Sequence, residues 1–280
     1  MKRRIRPASL IGSASAWFLL LFHALFVLTP VYWVVMQSFN SLKSIQSTFG
    51  GFTFANYIEV FTAPNSNFML WMTNSLIIAA PTTAAVILFG GLSAYGFSRM
   101  RFAGRKGFLM GFIVAQMFPG TMAMVATFIL LSTIKLLDTH IGLILVYAGG
   151  SIPMAGFMMK MYLDSIPRSL DEAAMIDGAS RMTVFTRIIL PLAMPIVGVV
   201  GIMNFINAFN EYILANLILR SASKRTLAMG LRMYIAAPWD KNWGAFAAAS
   251  LIITIPIALV FITFLKEIVV GLTKGAMAAE

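Results

Sequence analysis

Apolar positions along this chain come in long continuous runs, not in the alternating or 3.6-period stripes of a water-soluble domain. Six runs stand out, at about 15–36, 69–93, 108–131, 142–161, 188–210 and 245–266. Each approaches or exceeds the roughly 20 residues that a helix needs to cross a bilayer. The pattern predicts an all-α membrane protein of six transmembrane helices. It forms one domain over 1–280, with no fixed-period repeat. The polar stretches at 37–68 and 213–244 are predicted to be long outer loops. The first run begins after a basic start, "MKRRIR", as a signal peptide does. However, the small residues "SASA" precede the run instead of following it, and the run is too long for an ordinary signal core, so it is expected to stay as the first helix.

Charge then orients the helices. With the N-terminus inside, the inner segments hold fourteen of the 21 Lys and Arg residues and the outer segments hold seven. This two-to-one bias puts both termini in the cytoplasm. Trp33, Trp71, Trp239 and Trp243 then fall near the outer interface, where indoles prefer to sit. The net charge of +11 is explained by the same loop bias and does not call for nucleic acid. Composition agrees: 59% of residues are hydrophobic, 11% are charged and the mean hydropathy is +0.85. There is no cysteine, hence no disulfide framework and no thiolate metal site. Prolines 30, 81, 119, 153, 191, 195 and 256 fall in or beside the runs. Each removes a backbone donor and tends to kink its helix.

One stretch breaks the apolar pattern. "DSIPRSLDEAAMIDGAS", from Asp164 to Ser180, is too polar to enter the bilayer, where a central Asp or Arg costs about 2.5–3.5 kcal/mol. It is placed at the cytoplasmic face between spans four and five. Ser169 and Glu172 have the spacing of a capping box, and Asp171 and Glu172 suit the positive end of a helix dipole. Gly178 can take the left-handed conformation that ends a helix. "SRMTVFTRIIL" then reads as a second helix leading into span five. Ala173, Ala174, Gly178, Ala179 and Ser180 give a slim element suited to a groove on a partner. A membrane-surface helix would carry large apolar residues and lysines instead.

Glu172-Ala173-Ala174, Gly178 and Ile188-Ile189-Leu190-Pro191 reproduce the motif EAA-x3-G-x9-I-x-L-P. Here the chain resembles the permease subunits of ABC importers. With "AYGFSRMRFAGRKG", "QMFPG", "NWGAFAAAS" and "GLTKGA" it is similar to the shorter, six-helix subunit of maltose/maltodextrin-type carbohydrate transporters. The C-terminal "GAMAAE" departs from that subunit's glycine- and lysine-rich ending. The resemblance implies that residues 165–187 form coupling helices that dock on an ATPase. Glu172, Ala173, Ala174, Asp177, Gly178 and Arg181 would be the docking surface. It also implies a second, homologous permease subunit, an ATPase homodimer and an extracytoplasmic sugar-binding protein. Met233, Tyr234, Trp239 and Asp240 would lie on a loop that enters the binding protein's cleft.

The chain lacks G-x-x-x-x-G-K-[ST], so no phosphate-cradling loop is present. ATP and magnesium are expected on the partner ATPase, and no cofactor or catalytic residue on this chain. Asn204, Asn207 and Glu211 share one helix face by their spacing, and Gln116 is a similar polar position within a span. Such groups either line a water-filled path or glue helices together. A relay of acids and histidines across several spans is missing, which disfavours a proton-driven carrier working alone. The solute is expected to be a maltodextrin-like oligosaccharide; the alternatives are another sugar or a glycerol-phosphate type compound.

Overall fold

The computed structural model describes residues 7–42, 50–64, 66–236 and 241–277. Among these residues the chain is helical: α1 Pro7–Ser38, α2 Ala55–Thr62, α3 Phe68–Arg99, α4 Arg105–Met117, α5 Met124–Thr133, α6 His140–Asp164, α7 Ser169–Ile176, α8 Arg181–Val184, α9 Leu190–Leu192, α10 Met194–Asn210, α11 Ile213–Ile218, α12 Leu227–Ala236 and α13 Trp243–Met277. A π-helical turn, Phe185–Ile189, joins α8 to α9.

Four helices are long and apolar enough to cross a membrane, within α1, α3, α6 and α13. Two bent pairs of helices are long and apolar enough only when each pair is taken together. The first runs Arg105–Met117 and Gly120–Thr133, turning by 87°; the second runs Arg181–Leu192 and Met194–Asn210, turning by 77°. The predicted single helices over 108–131 and 188–210 are therefore broken. Not every proline kinks its helix: Pro30, Pro81, Pro153 and Pro256 lie inside unbroken helices. Pro119 stands at the first break, and Pro191 and Pro195 flank the second, at Ala193. A proline acts as a breaker there because the residues beside it also leave helical geometry. Phe118 is extended (φ −78°, ψ 121°) and Ala193 sits at φ −88°, ψ 0°.

The chain divides into two compact units, 1–66 with 231–253 and 67–230 with 254–280. In the first, the predicted outer loop 37–68 contains α2 and an ordered turn. Asn56 donates from its buried amide to the carbonyls of Ser38 (3.0 Å) and Asn40 (2.8 Å). Phe39, Phe52, Phe54 and Tyr57 pack ring on ring around that turn. In α1, the apolar residues between Ala16 and Trp33 are exposed, with Trp17, Phe22 and Phe26 all more than 60% exposed.

The second unit is built on α3, α6 and α10. Val86, Ala94 and Tyr95 of α3 pack with Ala155, Met159 and Leu163 of α6, with Val184, Phe185 and Ile189, and with Val197 and Val200 of α10. Helices in lipid gain no hydrophobic drive from meeting, so close van der Waals packing between small residues holds them. A Cβ added at Gly90 would sit 3.3 Å from the Ala155 Cβ, and one added at Gly156 would collide with the Ser93 hydroxyl. Gly156→Val is therefore expected to push α6 off α3 and cost about 1–3 kcal/mol. A lowered unfolding temperature of the detergent-solubilised protein is the measurement; an unchanged one refutes close packing at this point.

Candidate functional site

Three places carry polar chemistry: the α6–α10 connection at one end of α3, a cavity between α6 and α10, and the segment that leads into α12.

At the α6–α10 connection, α7 ends on Gly178 at φ +84°. The Gly178 amide donates to the Met175 carbonyl (3.1 Å) and the Ala179 amide to that of Ala174 (3.0 Å). This pair of bonds closes a helix through a left-handed residue, which glycine adopts without strain. The start of α7 differs from the capping-box reading. Ser169 is itself helical, the cap position belongs to Arg168 (φ −68°, ψ −22°), and no side chain bonds the free amides. A serine already inside the helix cannot reach forward to cap it. Arg168 is drawn away instead, donating to the Ser98 carbonyl at 2.8 Å. The side-chain cap appears at the second helix, where Ser180 accepts from the Thr183 amide (3.2 Å).

The two neighbouring acids separate. Glu172 points to solvent with Ala173 and Asp177, whereas Asp171 is buried against Arg99, with Nε 2.6 Å from Oδ2. Burial pushes the Asp171 carboxyl above the usual carboxylate range, Glu172 adds to this, and Arg99 and Arg168 act against it. Ala174 and Ala179 are half-buried and pack on the α3–α6–α10 core, and Arg181 is exposed at the first position of α8. The small residues thus serve two surfaces, one inward and one outward. Sequence reasoning missed the apolar tip: Ile176 is 86% exposed, with Met182, Met175 and Leu170 beside it in the chain and also exposed. Its signal was present, since Glu172 and Ile176 are one helical turn apart and share a face.

Two adjoining cavities of about 220 Å³ each share Gly150, Ser151, Asn204 and Asn207. Gln116 lines one of them and Glu211 the other. The Gln116 amide donates to the Gly150 carbonyl (3.1 Å) and Asn204 donates back to Val200 in its own helix (2.9 Å). Glu211 ends α10 and holds the next turn. Its carboxylate accepts from the amides of Leu214 (2.8 Å) and Ala215 (3.0 Å) at the start of α11, and from the Tyr147 hydroxyl of α6 (2.5 Å). Amides, the hydroxyl residues Thr82, Tyr147 and Ser151 and one carboxylate line these cavities, and among the described residues no Lys or Arg lines them. Among the described residues no cluster of His, Cys, Asp and Glu could hold a metal ion.

The stretch predicted as an outer loop, 213–244, holds α11, a 3-10 turn (Ala222–Lys224) and α12. Asp138, at φ 53°, clasps it from the α5–α6 turn. Its carboxylate accepts from the amides of Arg220 (2.9 Å) and Ser221 (3.0 Å), from the Ser221 hydroxyl (2.5 Å), and pairs with Lys224. On α12, Met233 is exposed and the Tyr234 hydroxyl shares a hydrogen bond with that of Ser66 (3.1 Å). Trp239 and Asp240, the other two residues expected on the binding-protein loop, lie outside the described residues.

Apolar helices long enough to cross a bilayer, a connection closed at Gly178 and a polar cavity beside α6 and α10 are the features of a membrane protein. Comparison with known proteins identifies the family. Residues 86–270 match the family of binding-protein-dependent transport system inner membrane components, and the chain belongs to it. It is therefore a multi-pass protein of the cytoplasmic membrane and works with a binding protein. The galactooligosaccharides transport system permease protein GanQ of Bacillus subtilis is 39% identical over 264 residues, 93% of each chain. The maltose/maltodextrin transport system permease protein MalG of Escherichia coli is 37% identical over 222 residues, 77% of this chain and 74% of its own. A crystal structure of a bacterial ABC transporter that imports the acidic polysaccharide alginate contains a chain of the same fold. It has a TM-score of 0.78 at 22% identity, covering 95% of this chain and 99% of that one.

The Asp138 clasp gives a pH test. Desolvation opposes ionisation, but the bonds from Ser221, Arg220 and Lys224 hold the carboxyl well below the usual carboxylate range. A group whose folded pKa is depressed stabilises the fold above its unfolded value, near 3.9, and loses that contribution as pH falls towards the folded value. Asp138→Asn is expected to lower the unfolding temperature at pH 7 and to flatten its further fall below about pH 4 relative to the parent. Parallel melting curves for the two proteins across that range would remove the clasp.

Proposed function

We propose that this chain is one of two homologous permease subunits of an ATP-driven importer, with six spans and both termini in the cytoplasm. An ATPase homodimer docks on α7 and α8, and ATP and magnesium reside on that partner. The observation that carries this reading is the α7–Gly178–α8 element. Glu172, Ala173, Asp177 and Arg181 face outward beside the bare Ile176, while Asp171, Ala174 and Ala179 tie the same element to the helices behind it. An apolar anchor ringed by polar side chains is what a docking patch presents to a groove.

The solute is a neutral oligosaccharide of the maltodextrin or galactooligosaccharide kind. Relatives named for those sugars support this, and so does the chemistry of the cavities. Gln116, Ser151, Asn204 and Asn207 offer donors and acceptors suited to hydroxyl groups. A phosphate ester would need a cation, and among the described residues the lining has none while Glu211 adds a negative charge. The outer segment with Met233, Tyr234, Trp239 and Asp240 contacts the sugar-binding protein.

The test is copurification and uptake. A tagged chain expressed with its neighbours should bring down an ATPase, and proteoliposomes with the binding protein should accumulate radiolabelled maltodextrin when ATP is inside. Gly178→Pro should abolish uptake, because proline holds φ near −65° where this turn needs +84°. If no ATPase is captured and Gly178→Pro transports at the parent rate, the docking reading fails. Shortening the segment 233–241 should leave the assembly intact and reduce uptake; an unchanged rate would exclude it from contact with the binding protein.

A further inference from the structure

The last turn of α3 is bound to the α7 region by five contacts, none of them along the chain. Besides the Arg99–Asp171 pair at 2.6 Å, an Arg99 Nη donates to the Ile166 carbonyl at 2.9 Å and Arg168 donates to the Ser98 carbonyl at 2.8 Å. The Ser98 hydroxyl donates to Asp164 (2.7 Å) and the Tyr95 hydroxyl to the Arg181 carbonyl (3.3 Å). The other end of α3 grips the segment that enters α12. The Asn74 amide donates to the carbonyls of Ser223 and Arg225, both at 2.9 Å, and Ser75 accepts from the Leu227 amide at 2.8 Å. The Trp71 indole lies where a Cβ at Gly230 would be.

Between these grips α3 is one unbroken helix of 32 residues, about 48 Å long at 1.5 Å per residue. The covalent route out of α7, through α8 and α9 into α10, turns by 77° at Ala193. An unbroken, packed helix moves as a body, whereas a sharply bent joint absorbs displacement. From this the geometry points to Arg99 as a positioning residue of the transport cycle. It fastens α7 to α3, so that a displacement of α7 reaches the 219–230 segment through α3. This rests on the docking of an ATPase at α7 proposed above. The weight falls on Arg99 because the side chains of Arg99 and Asp171 are only 6% and 8% exposed, and neither Asp171 oxygen accepts a hydrogen bond. Charge alone compensates that carboxylate, and removing one partner leaves the other buried and unpaired.

The experiment uses the whole transporter in proteoliposomes, scoring ATP hydrolysis and sugar uptake side by side. Arg99→Gln and Asp171→Asn should keep ATP hydrolysis and lower uptake about tenfold, within the usual span of coupling between sites. Arg99→Lys should restore much of the ratio. A purely architectural role would lower hydrolysis and uptake together, and that parallel loss overturns the inference, as does unchanged uptake. If the single variants fail to assemble, the cysteine-free background allows Arg99→Cys with Asp171→Cys, bridged by a short bismaleimide. Bridging should raise uptake per ATP; a bridged protein that stays uncoupled overturns the inference. If the parent itself shows no ATP-driven uptake, the docking reading has failed, not the role of Arg99.

Discussion

The close approach of α3 and α6 at Gly90, Ala155 and Gly156 is the contact on which the second unit depends. Where two backbones come this near, side chains on either side of the crossing have fixed neighbours. That is why Ser98 and Arg99 meet Asp164, Ile166 and Asp171 at one end of α3. A looser crossing would let α6 slide, and the buried Asp171 would lose its ion pair with Arg99. In a bilayer no hydrophobic pressure restores such a slip, because lipid tails solvate leucine as well as another helix does. Shape complementarity therefore has to supply the rigidity.

The breaks between helices obey a second constraint. Backbone groups released within a span must find partners inside the protein. Glu211 shows one solution. It ends α10, and its two oxygens receive the free amides at the start of α11. The same carboxylate binds Tyr147 and lines a cavity. One acid thus closes a helix, opens the next and gives the cavity its negative wall.

Much of this was legible in the sequence. The six apolar runs locate every long helix, because membrane thickness imposes a length that composition alone reveals. The left-handed turn at Gly178 was readable, since only glycine tolerates it cheaply. What remained hidden depends on partners distant in the chain. Asp171 and Glu172 look alike as first-turn acids; only the presence of Arg99, far upstream, buries one and leaves the other free. Likewise proline content did not say which helices break. Pro81 and Pro153 sit in helices clamped against each other by the glycine crossing, whereas Phe118 next to Pro119, and Ala193 between Pro191 and Pro195, depart from helical angles. The capping role of Ser169 failed by a single residue, which pattern reading cannot resolve.

Ile176 has a consequence for the life of the subunit outside its assembly. An isoleucine that is 86% exposed, with Met175 and Met182 exposed close by, is the kind of surface that quality-control proteins bind. Until something covers it, the chain presents the same signal as an unfinished fold. Its survival in the cell is then a matter of supply: copies made in excess of the covering partner remain marked, and those made in step with it do not. An exposed greasy helix tip thereby ties the abundance of a membrane subunit to that of whatever covers it.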